Sequence, residues 1–129
     1  DDTLGPRFPD MSSAYDPGLR EIAHAAATRP DQSLAEGVYA GWLGPAFETP
    51  AEIRMIRALG GDLVGMSTVP EVLAARHMGL RCLAVSCVTN MAAGIQPEPI
   101  DAEHVLVVGA AAQDRLTALL AEILPTLPP

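Results

Sequence analysis

The chain is short of several things, and each shortage excludes something. Positive charge is scarce: eight Lys and Arg face sixteen Asp and Glu, a formal net charge of −8. Nucleic acid and anionic membrane surfaces both call for a basic face, so neither is an expected partner. The acidic residues are dispersed, so no acidic tail carries the charge. Cysteine is limited to Cys82 and Cys87. They lie five apart on one expected strand and point to opposite faces, so they are not expected to pair. A reduced, cytoplasmic setting fits that usage. No apolar run approaches a membrane span, and no signal peptide is visible. There is no GxGxxG or Walker loop. No metal spacing links His24, His77 and His104, so no metal site is expected. No Ser/His/Asp or Cys/His arrangement is legible from residue order, and no internal repeat occurs. The first residue is Asp1 rather than Met, from which a processed chain or a piece of a longer one is expected.

What remains is ordinary globular composition. The chain has 129 residues, 49% of them hydrophobic and 19% charged, enough for one domain with a core. Asp1 to Asp10, rich in Pro, Gly and Asp, reads as loop. Asp16-Pro17 is a helix start, with a capping carboxylate before a first-turn proline. Leu19, Ile22, Ala23 and Ala26 then share a face, so residues 17–29 read as an amphipathic helix ending at a Pro30–Ser33 linker. Residues 36–43, with Val38, Tyr39 and Trp42, read as a strand closed by Gly44-Pro45.

Thr49-Pro50-Ala51-Glu52 has capping-box spacing and opens a helix with Ile53, Ile56 and Leu59 inward, stopped by Gly60-Gly61. Residues 62–66 are a short apolar run. Thr68-Val69-Pro70-Glu71 repeats the capping-box spacing, and that helix stops at Gly79. Residues 81–88 are a second, longer apolar run ending in Thr89-Asn90. Strand, helix and strand from Gly60 to Asn90 therefore predict a βαβ unit. Residues 91–100 read as loop. Asp101 caps a last helix carrying Val105, Val108, Ala112, Leu116, Leu119, Leu120 and Ile123, which Pro125 ends. The order α-β-α-β-α-β-α is that of an α/β fold, with helices covering a sheet.

Ligands of open α/β sheets bind outside the carboxyl ends of the strands. Here those ends carry Met66, Ser67, Thr68, Thr89 and Asn90. Ser67 and Thr68 stand at a helix N-terminus, which favours an anion such as phosphate; simple capping by Thr68 is the competing explanation. Asn90 can donate and accept at once, as reading a base edge requires, or it can serve only as a turn residue. Phe47 and Glu48 offer an aromatic face beside a carboxylate, suited to a flat ring with N–H donors. The plainer roles are a hydrophobic staple for Phe47 and dipole compensation for Glu48.

Taken together, GPAFETPAEIR and DLVGMSTVPEVLAARHMGLRCLAVSCVTN resemble the trimeric purine nucleoside phosphorylase family. The likeness runs from about Arg7-Phe8-Pro9-Asp10-Met11-Ser12 to the last helix. It implies an α/β fold with a mixed β-sheet flanked by helices, of which residues 1–129 would be the C-terminal half of a single domain. The glycine-rich phosphate loop and the further phosphate-binding Arg and His of the family's N-terminal half have no counterpart in the sequence. The implied activity is pentosyl transfer in purine salvage: inorganic phosphate, as co-substrate and with no cofactor, cleaves a 6-oxopurine ribonucleoside to free base and ribose 1-phosphate. The implied partners are nucleoside, phosphate, the upstream half of the same enzyme, and like subunits in a homotrimer.

By the same resemblance, Glu48 would hold the N–H edge of the purine's six-membered ring. Asn90 would hydrogen-bond near N7 and O6 and stabilise the leaving base. Phe47 would pack on the purine or sugar and Val64 on the base, with Met66 under the ribose and Ser67 on phosphate. Tyr39 would line the sugar pocket and Thr89 would sit beside the base. An Asn at position 90, where the related methylthioadenosine phosphorylases have Asp, implies 6-oxo over 6-amino purines. One departure is that Ala102 stands where many members carry the His that meets the ribose 5′-hydroxyl, with His104 two residues on. That admits 5′-modified nucleosides, such as methylthioinosine, as an alternative substrate class. A fragment that binds or assembles without catalysis is a further alternative.

Overall fold

The structure is a computed structural model that describes residues 3, 5–28 and 32–128. The chain divides into two compact units. The first comprises residues 1–34, 67–85 and 118–129, and the second residues 35–66 and 86–117.

In the first unit, helix α1 spans Pro17–Ala26, with proline in its first turn. The Asp16 carboxylate accepts the Leu19 backbone N–H at 3.0 Å, as an N-cap should. α1 is shorter than expected because Ala27 leaves helical backbone (ψ 59°). Pro30 and Asp31 of the expected Pro30–Ser33 linker lie outside the described residues. Helix α3 spans Val69–His77. Past its end Gly79 has φ +78°, and the N–H groups of Gly79 and Leu80 donate to the carbonyls of Arg76 and Ala75. That is a Schellman stop, which glycine makes without steric cost. The core of this unit is Ala23 of α1 against Leu119 and Ile123 of the last helix, flanked by Ile22, Leu34, Leu83 and Leu127. Each fully buried Leu or Ile contributes about 1.5–3 kcal/mol.

In the second unit, strand β1 (Tyr39–Gly41) is followed by helix α2 (Pro50–Ala58) and strand β2 (Leu63–Gly65). β1 and β2 pair in parallel, with Tyr39 opposite Leu63, Ala40 opposite Val64 and Gly41 opposite Gly65. A parallel pair needs a crossover, and α2 is that crossover. Its capping box forms: Thr49 Oγ1 accepts the Glu52 N–H at 3.3 Å, and the Glu52 carboxylate accepts the Thr49 N–H at 2.7 Å. Ile53 and Ile56 are its buried face. Gly60 (φ +91°) and Gly61 close it with a second Schellman pattern onto Arg57 and Ile56. Helix α4, Ala102–Ile123, begins where the Asp101 carboxylate accepts the Glu103 N–H, and runs through both units.

Two expectations are corrected here. The predicted βαβ unit from Gly60 to Asn90 is not the one that closes. Residues 81–88 take no regular secondary structure and join no ladder among the described residues. A strand is defined by its hydrogen-bonded neighbour, and an apolar sequence cannot supply one. The capping box predicted at Thr68 also fails, because Thr68 makes no side-chain cap. The α/β class holds, with the order α-β-α-β-α-α and a two-stranded parallel sheet.

Candidate active site

Seven of the eight candidate residues fall in the second unit: Tyr39, Phe47, Glu48, Val64, Met66, Thr89 and Asn90. Ser67 is the first residue of a segment belonging to the other. Tyr39 opens β1, Val64 is the middle of β2, and Met66 follows β2 directly. The Tyr39 phenol lies over the α-carbon of Gly65, where any β-carbon would meet its hydroxyl. A β-carbon on Gly44 would stand 2.7 Å from Met66 Sδ. So the loop that begins at Gly44, whose peptide bond to Pro45 is cis, rests on the residue leaving β2.

That loop carries Phe47 and Glu48 into α2. Phe47 is half-exposed, whereas Glu48 is only 9% exposed. Among the described residues no group hydrogen-bonds the Glu48 carboxylate. The Glu48 oxygens are not among the fully buried, unpartnered side-chain atoms, so the mostly buried residue keeps a solvent-accessible carboxylate edge that a ligand donor can reach.

Asn90 is held on both sides. Its Oδ1 accepts the Ala92 N–H at 2.9 Å, and its Nδ2 donates to Thr89 Oγ1 at 3.1 Å. An Asx turn of this kind explains Asn as a turn former, and it also fixes the amide plane. Ala92 lies at φ +69°. Gln96 closes the loop, its Oε1 accepting the Met91 N–H and its Nε2 donating to the Glu98 carbonyl. Gly94 (φ +78°) comes so close to α2 that a β-carbon there would lie 2.7 Å from Pro50 Cβ. The Asn90 loop is thus docked two residues beyond Glu48. Gly44, Gly65, Gly94 and Gln96 were not among the expected site residues. The glycines mark close approach, which a lone sequence does not distinguish from turn formation, and Gln96 carries no sequence signal.

Ser67 and Thr68 form an unusual entry to α3. Thr68 sits at φ 71°, ψ −54°, and the Val69 N–H donates to the Ser67 carbonyl at 2.7 Å. This is a γ-turn centred on a β-branched residue, a sparsely populated geometry. It turns the Thr68 side chain away from the cap, so its hydroxyl lies 3.3 Å from Ser67 Oγ instead. Ser67 is exposed beside the N-terminus of α3. Ala102 and His104 are both exposed in the first turn of α4. No His/Cys/Asp/Glu cluster able to hold a metal occurs among the described residues. No helix among them is long and apolar enough to cross a membrane.

The family model of the phosphorylase superfamily matches residues 1–125. The chain belongs to the phosphorylase superfamily. Within that superfamily it is 56% identical over 119 residues to a purine nucleoside phosphorylase of Cellulomonas sp, covering 92% of this chain and 41% of the relative. It is 46% identical over 120 residues to a probable 6-oxopurine nucleoside phosphorylase of Moorella thermoacetica, covering 92% of this chain and 46% of the relative. The crystal structure of Schistosoma mansoni purine nucleoside phosphorylase in complex with inosine superposes with a TM-score of 0.91 at 38% identity, covering 99% of this chain and 47% of that one. The chain therefore spans less than half the length of these relatives.

Proposed function

We propose that this chain carries the nucleoside side of a phosphorolytic active site, as the C-terminal half of one domain of a purine nucleoside phosphorylase. The observation that carries the reading is Glu48, a 9%-exposed acid whose carboxylate has no hydrogen-bond donor among the described residues, in the same unit as the anchored amide of Asn90. Names of the relatives supply the substrate class: purine nucleosides, 6-oxopurines in one case and inosine in another.

In this reading Glu48 accepts the N–H donors of the purine's six-membered ring. Asn90 donates toward N7 and O6. Phosphate attacks the anomeric carbon while the glycosidic bond breaks, and the electron pair leaves with the base, where the Asn90 amide meets it. A preset amide plane loses no orientation energy at that moment. Phe47 and Val64 pack on the flat base, Thr89 lies beside it, and Tyr39 and Met66 bound the ribose. The Ser67 hydroxyl, at the positive end of α3, meets phosphate. No cofactor is needed, since phosphate is the co-substrate. The proposal includes pentosyl transfer in purine salvage, a homotrimer, completion by the upstream half of the domain, and a cytoplasmic setting that fits the two free thiols.

The test is hypoxanthine release from inosine, with and without phosphate. Phosphate-dependent release that falls on Asn90→Ala and on Glu48→Ala supports the reading. Wild-type rates in both variants overturn the site assignment, and base binding without turnover favours a fragment that only binds. The exposed Ala102 at the start of α4 favours one second reading, a 5′-modified nucleoside such as methylthioinosine. A strong preference for inosine over methylthioinosine removes it.

A further inference from the structure

The two backbone N–H groups that follow Asn90 are each held by a side-chain amide oxygen. Asn90 Oδ1 accepts the Ala92 N–H at 2.9 Å, and Gln96 Oε1 accepts the Met91 N–H at 3.0 Å. A backbone N–H can only donate, so neither amide can be turned over without losing a hydrogen bond. Gln96 is fixed at its other end as well, because its Nε2 donates at 3.1 Å to the Glu98 carbonyl, which can only accept. The backbone joins the same ring, with the Ile95 and Gln96 N–H groups donating to the Ala92 carbonyl. Ala92 itself sits at φ +69°, a left-handed conformation that an alanine adopts only when its surroundings hold it there.

Held in this way, Asn90 presents a donor to a ligand. Its oxygen is turned to Ala92, and one Nδ2 hydrogen goes to Thr89 Oγ1 at 3.1 Å. The second Nδ2 hydrogen has no partner among the described residues. A donor suits a 6-oxo group and meets a 6-amino group donor to donor, whereas a turned amide would present Oδ1 and suit the amino group. Turning the amide requires the backbone after Asn90 to move, and Gln96 holds that backbone at the Met91 N–H. We infer that Gln96 is a positioning residue that sets purine discrimination. Acting through Met91 and Ala92, it keeps the Asn90 amide in its donor-presenting orientation. The inference rests on the base-recognition role proposed for Asn90.

The experiment compares wild type, Gln96→Ala and Gln96→Glu of the whole protein. Relative phosphorolysis of inosine and adenosine reads discrimination, and amide exchange resolved by NMR reads Met91 and Ala92. Gln96→Ala is expected to lower the inosine-to-adenosine ratio of kcat/KM about tenfold. It is also expected to speed exchange at Ala92 at least about fivefold, although the Ala92 N–H is bonded by Asn90 and not by Gln96. Gln96→Glu keeps an acceptor for the Met91 N–H and is expected to recover most of both losses. A merely structural role for Gln96 would lower stability, or both rates together, and leave the ratio in place. An unchanged ratio in Gln96→Ala overturns the inference, and so does faster exchange at Met91 with none at Ala92. Equal loss of the ratio in Gln96→Glu overturns it too. If wild type releases no base from inosine in the presence of phosphate, the proposed function fails on its own, and exchange at Ala92 still decides whether Gln96 positions Asn90.

Discussion

The Tyr39 phenol stands over the α-carbon of Gly65, two residues along β2 from its ladder partner Leu63. Only a residue without a β-carbon leaves room for that ring. Gly65→Ala is therefore expected to destabilise the unit by about 1–3 kcal/mol, the usual cost of overpacking. The check is urea unfolding of Gly65→Ala, Tyr39→Ala and the double variant. A strong favourable coupling in the double variant is expected, and strict additivity would show that the two residues do not touch.

Thr49 and Thr68 share the same spacing to a following Glu, yet only Thr49 caps. Thr49→Ala should cost about 1 kcal/mol through loss of its cap. Thr68→Gly should be neutral or stabilising, since relief at φ 71° is worth roughly 1 kcal/mol to a residue with no β-carbon. Thermal unfolding of the two variants decides this. Equal destabilisation by both would mean that Thr68 caps after all.

Arg81 donates to both oxygens of Asp16, at 2.7 and 2.9 Å, while the Cys82 carbonyl accepts the Asp16 N–H. Hydrogen bonds from Arg81, then from the Leu19 N–H, hold the Asp16 carboxyl well below the usual carboxylate range. The folded state thus binds its proton less readily than the unfolded chain. Its contribution is present above the unfolded value of about 4 and is lost as pH falls below it. Asp16→Asn keeps the cap and removes the charge. Its stability deficit relative to wild type should shrink between pH 6 and pH 3 in parallel melts, and a constant deficit would show that charge is not the cause.

Under the proposed function, Asn90→Asp should move preference away from 6-oxopurines toward adenosine. A mismatched polar edge typically changes kcat/KM by on the order of 10² or more. Relative phosphorolysis of inosine and adenosine measures it. An unchanged ratio would remove Asn90 from base recognition.

Gly94→Ala should loosen the Asn90 loop from α2, because φ +78° and a 2.7 Å approach to Pro50 both forbid the methyl. The expected result is faster amide exchange at Met91 and Ala92, with loss of the proposed phosphorolysis in step. Unchanged exchange would show that the docking does not depend on this glycine.

Local chemistry alone determined much of this protein. Asp16-Pro17 and Thr49-Pro50-Ala51-Glu52 start helices, and Gly60 and Gly79 stop them, because caps and positive φ are decided within a few residues. Met66 and Asn90 were legible as site candidates through the ends of two apolar runs, Glu48 through its loop beside Phe47, and all three through the family resemblance. Only the tertiary structure decided which strands pair. Residues 81–88 have the apolar run of a strand, but a ladder needs a neighbour, and β1 found β2 instead. The same holds for Thr68, whose cap spacing yields to a γ-turn, and for Glu48, whose burial comes from surroundings that its own segment does not reveal. Propensity and spacing act over one helical turn, whereas pairing and burial depend on residues distant in sequence, and no short stretch encodes them.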